Sequence, residues 1–130
     1  MNAKTGGEAA VVHADLSYRI MSAAFDVHRV LGPGYAERIY EQALAREFEE
    51  RGIAYERQKR IEIEYKGLVV GEYFLDMVVE DSIVLELKAT PEITALYCAQ
   101  ALSYLKASGM RLAIVINFGA RSVKNKRIVL

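Results

Sequence analysis

The chain has 130 residues, enough for one domain with a substantial hydrophobic core and too few for two. Lysine plus arginine equals aspartate plus glutamate at 17 each, so net charge attracts no nucleic acid, and any affinity for phosphate must come from local clustering. The single cysteine, Cys98, excludes an intrachain disulfide framework, a thiolate zinc site and a four-cysteine iron–sulfur cluster, and is expected to be buried filler in an apolar helical segment.

Residues 1–14 show no sustained periodicity and are expected to form a flexible tail, followed by a single domain over 15–130. The start lacks the basic residues and continuous apolar core of a signal peptide, and no apolar run is long enough to cross a bilayer. No membrane association and a cytoplasmic location are therefore expected.

From Asp15, read as an N-cap, Leu16, Ile20, Ala23, Ala24, Val27 and Leu31 recur at the spacing of one buried helical stripe. Gly32-Pro33-Gly34 ends that helix, because proline disfavours helix in the residue before it and glycine permits a sharp reversal. His28 lies one residue off the stripe, and a packed or helix-end histidine is the commoner role for such a position than a catalytic one. A second helix is expected from about Ala36 to Glu50, with Ile39, Ala43, Leu44 and Phe48 inward and Gly52 at its C′ position. Glu37 falls in the first turn, where free N–H groups favour a carboxylate whether or not it serves a site. Glu37, Tyr40 and Glu41 share one side, facing either a cleft or solvent.

Arg57 to Tyr65 alternates charged and apolar residues, as a strand with one wet face does, and Lys66-Gly67 turns it back. Leu68, Val69 and Val70 lead through Gly71, a possible bulge, into a hairpin spanning Tyr73 to Lys88 with its turn at Glu80-Asp81-Ser82. A turn centred on Asp81 sets residue i opposite about 162 − i, so Asp76 faces Glu86. Period-two alternation puts Glu86 and Lys88 on one face and Leu85 and Leu87 on the other. Two carboxylates about 5 Å apart repel by about 3 kcal/mol at an effective dielectric near 20. Lys88 offsets part of that, and a divalent cation held by oxygen ligands would offset the rest. A solvated surface salt bridge is the plainer explanation of the same residues.

Thr90-Pro91 breaks the strand and starts a helix with Leu96, Ala99, Leu102 and Leu105 inward, stopping at Gly109, while Gln100 and Tyr104 project together at i, i+4. Leu112 to Phe118 is continuously apolar, fitting a strand buried on both faces and reached by a helical crossover. The sheet should therefore be mixed, an antiparallel meander plus a parallel strand, flanked by helices. Four basic residues between Arg121 and Arg127 precede Ile128-Val129-Leu130, a candidate edge strand.

Gly34-Tyr-Ala-Glu37-Arg-Ile-Tyr40 resembles the signature of the GxxExxY proteins. Val27-His28-Arg-Val-Leu31-Gly-Pro-Gly before it, and Asp76, Glu86-Leu-Lys88, Gln100, Tyr104 and Ile116-Asn-Phe-Gly119 after it, follow in that family's order. The resemblance spans about residues 15–130 and implies the PD-(D/E)XK nuclease superfamily with a restriction-endonuclease-like α/β fold; Gln-x-x-x-Tyr is similar to the RecB-type branch. It makes Asp76 and Glu86 metal ligands, Glu37 the acidic residue of an early helix, Lys88 the catalytic lysine, and Gln100 with Tyr104 the pair beside them. Leu75 stands where the superfamily often has proline.

The activity so implied is Mg²⁺-dependent hydrolysis of nucleic-acid phosphodiesters, DNA before RNA, with Mn²⁺ as a substitute ion and the Leu87 carbonyl as a further oxygen. A polyanionic substrate then needs flanking cations, for which Arg57, Lys59, Arg60, Arg121, Lys124, Lys126 and Arg127 are the candidates. The competing expectation is a catalytically inactive nuclease fold that binds nucleic acid or protein. A homodimer would suit so small a nuclease gripping a duplex.

Overall fold

The computed structural model describes residues 13–130, so the expected N-terminal tail lies, through residue 12, outside the described residues. Helix α1 spans Ala14–Leu31 and α2 Glu37–Arg51. Strands β1 (Tyr55–Tyr65), β2 (Leu68–Val79) and β3 (Ile83–Lys88) follow, then α3 (Ala95–Ser108), β4 (Leu112–Asn117) and β5 (Lys124–Val129). The five strands form one sheet in chain order, antiparallel except for the parallel β3–β4 pair joined through α3. The mixed sheet, the meander and the crossover are as expected. The C-terminal edge strand begins at Lys124, so Lys124, Lys126 and Arg127 of the basic run lie within the sheet and Arg121 precedes it.

Helix α1 buries Leu16, Ile20, Ala23, Ala24 and Val27, the stripe read from the sequence. Its N-cap is His13 in a left-handed conformation, and Asp15 is in the first turn, where it complements the helix dipole without capping. Helix α2 ends with left-handed Gly52, and the Ile53 N–H donates back to the Phe48 carbonyl at 2.9 Å, a Schellman-type closure. Its inward face is rotated from the expected one: Tyr40, Glu41, Leu44, Ala45 and Phe48 are buried, while Ile39 and Ala43 are half-buried. The Tyr40 ring stacks on Phe118 at 4.7 Å between centroids, and its hydroxyl donates to the Gly32 carbonyl. That hydroxyl takes up a carbonyl left over at the end of α1, which is why a tyrosine can be wholly buried here.

The crossover helix also differs from expectation. It starts at Ala95, capped by the Thr94 hydroxyl accepting from the Tyr97 N–H, not at Pro91. It turns Ala101 and Leu105 to the sheet with Tyr97 and Tyr104 beside them, leaving Leu96 63% exposed and Ala99 exposed. Cys98 is half-buried. Apolar side chains ring this helix, so spacing alone did not say which side would meet the sheet.

The sheet separates two cores. On one face α1 and α2 cover Met77, Val79, Ile83, Leu85, Leu87, Leu112, Ile114 and Ile116. On the other, α3 covers Ile61, Leu75, Val78, Val84, Ala113 and Val115. Leu75 and Met77, two residues apart, lie on opposite faces, so the side-chain alternation of β2 is interrupted at Asp76. Opposite it on β1, between the pairs Arg57–Met77 and Lys59–Leu75, Gln58 takes φ +52°. Asp76 thus stands at a local twist in an otherwise regular ribbon.

Candidate active site

Strands β2 and β3 pair as Met77–Leu85, Val78–Val84 and Val79–Ile83, the register expected from the turn, with Glu80 and Asp81 both left-handed within it. Beyond Met77 the strands part, and the Asp76 carboxylate takes over from the ladder: its Oδ2 accepts the Leu87 N–H at 2.8 Å. The aspartate therefore points across the gap between the strands. Glu86 follows Leu85, which faces α1 and α2, and so lies on the α3 side; it is only 5% exposed. One of its oxygens, Oε2, is buried without a hydrogen-bond partner.

The electrostatics follow from this crowding. Burial raises the Glu86 carboxyl to about 8, with the nearby Asp76 charge pushing the same way and Lys88 opposing both. Burial also raises Asp76, to about 6; the Leu87 N–H opposes that, and the charges of Glu41 and Glu37 reinforce it. Tyr104 is pushed up to about 12, first by burial and then by the Glu86 charge. Each shift says that negative charge is hard to hold in this place without a cation. Lys88 supplies one, with Nζ 4.6 Å from the centroid of the Tyr97 ring.

The expected site residues divide. Asp76, Glu86, Lys88 and Tyr104 come together, and Tyr104 packs edge-on against Tyr73 at 5.0 Å. Gln100 is half-buried on the same side of α3 as Tyr97 and Tyr104. Glu37, the first residue of α2, is exposed, and its charge reaches both Asp76 and Glu86. Two participants are not among the expected site residues, although the sequence places Glu41 on the same side of its helix as Glu37. Glu41 is 8% exposed, accepts from Arg57 Nε at 2.9 Å and Gln58 Nε2 at 3.2 Å, and acts on Asp76 ahead of Glu37. Its position one turn beyond Glu37 was the available signal. Tyr97, one turn before Ala101, had none beyond its residue type. His28 is a packed residue, with Nε2 3.0 Å from the Ala120 carbonyl and its ring stacked on Phe118.

The ends of the parallel strands are fastened by Asn117, which is fully buried. Its Oδ1 accepts the N–H groups of Thr90 and Gly119, each at 3.0 Å, and its Nδ2 donates to the Thr90 carbonyl at 2.9 Å. A Cβ on Gly119 would come within 2.3 Å of Thr90 backbone atoms, so only glycine lets the two loops cross. This accounts for the Asn-Phe-Gly motif: the clasp fixes the loop after Lys88, and Phe118 joins the Tyr40 stack.

The candidate phosphate-binding cations also divide. Arg57 is paired with Glu41, Lys59 with Glu56, and Arg60 with Glu62 and Glu72. Arg127 donates to Ser17 Oγ on the α1 side. Arg121, Lys124 and Lys126 are exposed, and no ion pair ties them to another described residue. Lys88, Asn117 and Lys124 lie side by side across three strands, and Glu86, Val115 and Lys126 form the next row but one, so both lysines share the face of Glu86. With Asn125, Thr94 and Cys98 they border a groove of about 650 Å³ against the start of α3.

Among the described residues no three carboxylate, imidazole or thiol side chains are gathered as a ready-made ion cage. The donors nevertheless suit a hard divalent cation: two adjacent carboxylates, one with a buried oxygen lacking any partner. No helix among the described residues is long and apolar enough to cross a membrane.

Among solved structures the chain is similar to an alkaline exonuclease from Laribacter hongkongensis, at 13% identity and a TM-score of 0.49, covering 87% of this chain and 81% of that one. No curated protein matches it. The family model of the PD-(D/E)XK nuclease superfamily matches residues 14–128, from the start of α1 almost to the end of β5, and the chain belongs to that superfamily.

Proposed function

We propose that the protein is a Mg²⁺-dependent nuclease that hydrolyses phosphodiester bonds, DNA before RNA by superfamily analogy, and that it belongs with the GxxExxY proteins near the RecB-type branch. The observation that carries this reading is the buried, partnerless Glu86 oxygen beside Asp76 and Lys88. Lys88 and the Leu87 N–H offset only part of the burial and crowding of the two carboxyls there, and a dication would offset the rest.

Asp76 and Glu86 would hold the ion, with Glu37 as the candidate third acid and the Leu87 carbonyl as a further oxygen. Bound there, Mg²⁺, or Mn²⁺ in its place, supplies Lewis acidity toward the phosphoryl oxygens. Lys88 orients the attacking water and meets the charge that builds on phosphate as the P–O bond to the leaving oxygen breaks. The Tyr97 ring limits where its ammonium can go. Asp76, tied to the Leu87 N–H, keeps one oxygen engaged and presents the other. Gln100 and Tyr104 line the same side of α3 and are the groups to steady the substrate. Lys124, Lys126 and Arg121 are the candidates for flanking phosphates, since the β1 cations are already paired.

The test compares wild type with Lys88→Ala on single- and double-stranded DNA and on RNA, with Mg²⁺ or Mn²⁺. Cleavage by wild type and a loss of about 10³-fold or more in the variant are expected; equal rates in the two would overturn the assignment.

A further inference from the structure

The row at which the β1–β2 ribbon is interrupted changes the face of both strands. Up to Arg57 the side chains turn toward α1 and α2: Tyr55 packs on the core there, Arg57 reaches Glu41 and Gln42, and its partner Met77 belongs to the same core. Alternation would return positions 59 and 61 to that face. Instead Lys59 stands opposite Leu75 and Ile61 opposite Tyr73, and Leu75 and Ile61 belong to the core covered by α3. Glu56 and Lys59, which a regular strand would send to opposite sides, meet in an ion pair at 3.2 Å.

Gln58 makes this reversal. Of the left-handed residues other than glycine among the described residues, His13 caps α1, Lys66, Glu80 and Asp81 occupy turns, and only Gln58 lies inside a strand. Glutamine lacks the ease with which glycine, asparagine and aspartate take that conformation, so a contact must hold it. The contact is Glu41, whose two oxygens lie 3.2 and 3.5 Å from Gln58 Nε2 while Arg57 Nε donates to one of them at 2.9 Å. Glu41 is buried and comes from α2, so the helix fixes the turn of the strand. An unfavourable backbone conformation kept in place by its surroundings points to a function.

The effect falls on Asp76, opposite Gln58. A side chain on a regular strand stands off the sheet, whereas the Leu87 N–H lies in the plane of the ladder. At the reversal the Asp76 carboxylate turns into that plane and accepts the N–H at 2.8 Å. We infer that Glu41 and Gln58 are positioning residues for Asp76: the Gln58 amide, anchored on Glu41, holds the left-handed step of β1 that sends the aspartate across to β3. The inference rests on the proposed nuclease reading only in taking Asp76 as a metal ligand.

Two measurements on the full chain test it, amide hydrogen exchange at Leu87 by NMR without metal and calorimetric Mg²⁺ titration. Gln58→Val, whose branched side chain opposes a left-handed backbone, and Glu41→Ala, which removes the anchor, should each speed Leu87 exchange about tenfold or more while the amides of β4 keep their rates. Both should weaken Mg²⁺ binding by about 10- to 100-fold. Glu41→Gln keeps an acceptor for the Gln58 amide without the charge, and should stay within about threefold of wild type in both measurements. A Glu41 that acted only through its charge would make this variant behave as Glu41→Ala does, and that outcome overturns the inference. So does Leu87 exchange that stays at the wild-type rate in Gln58→Val and Glu41→Ala, or that rises together with exchange throughout β4, the mark of a general loss of stability. A wild type that binds no Mg²⁺ overturns the nuclease reading alone, and Leu87 exchange then decides the positioning by itself.

Discussion

The two faces of the sheet are built to different ends. Against α1 and α2 the centre of the sheet presents apolar side chains, closed by the stack of Tyr40, Phe118 and His28, and at its margins Arg57 meets Glu41 and Arg127 meets Ser17. Against α3 the apolar cluster is smaller, and it shares the face with Glu86, Lys88 and Tyr104, whose mutual interactions oppose as well as favour the fold. The contrast is one between a face that stabilises the domain and a face that gives up stability to keep charges dry.

The largest expected effect probes the first face. Phe48→Ala empties a fully buried aromatic site and should lower stability by about 3–5 kcal/mol in urea unfolding, with cleavage per folded molecule unchanged. A parallel loss of specific activity would show that the two faces are not separable.

Glu86→Gln probes the second face and should act in the opposite direction. Glu86 is raised from 4.5 to about 8 and Asp76 from 3.8 to about 6, so the native state holds these protons more tightly than the unfolded chain does. A group raised in this way stabilises fully below its unfolded value, and that stability is lost as pH rises through the folded value. Metal-free wild type should therefore lose on the order of 2–4 kcal/mol between about pH 4.5 and 8, and Glu86→Gln should recover most of it at pH 8 while binding no Mg²⁺. Thermal melts across pH in chelator check the first statement and calorimetric Mg²⁺ titration the second. A flat wild-type profile would remove the electrostatic argument for the site.

The smallest effect falls on Tyr97→Leu, which removes the ring under Lys88. About 0.5–1 kcal/mol is at stake, so cleavage should slow by roughly twofold to fivefold with little change in melting temperature. An unchanged rate would show that Lys88 needs no such support.

The strand architecture was legible because its signals are local. The turn at Asp81 set the register of the central hairpin, and the apolar run at Leu112–Phe118 announced a doubly covered strand. The helix faces were harder to read. Stripe-forming residues surround α3, and Tyr40 looked polar until its hydroxyl met the Gly32 carbonyl. The interruption at Asp76 was beyond reach, because it depends on Gln58 in the neighbouring strand. The charges Arg57, Lys59 and Arg60 looked free because sequence carries no record of which carboxylates come to meet them.

The Asn117 clasp bears on the order of folding. Its bonds to Thr90 join positions 27 residues apart and can form only after the α3 crossover has closed and β4 has docked. The segment beyond Lys88 is thus expected to be secured late in folding. Asn117→Ala should accordingly hasten unfolding in stopped-flow experiments while leaving the refolding rate nearly unchanged.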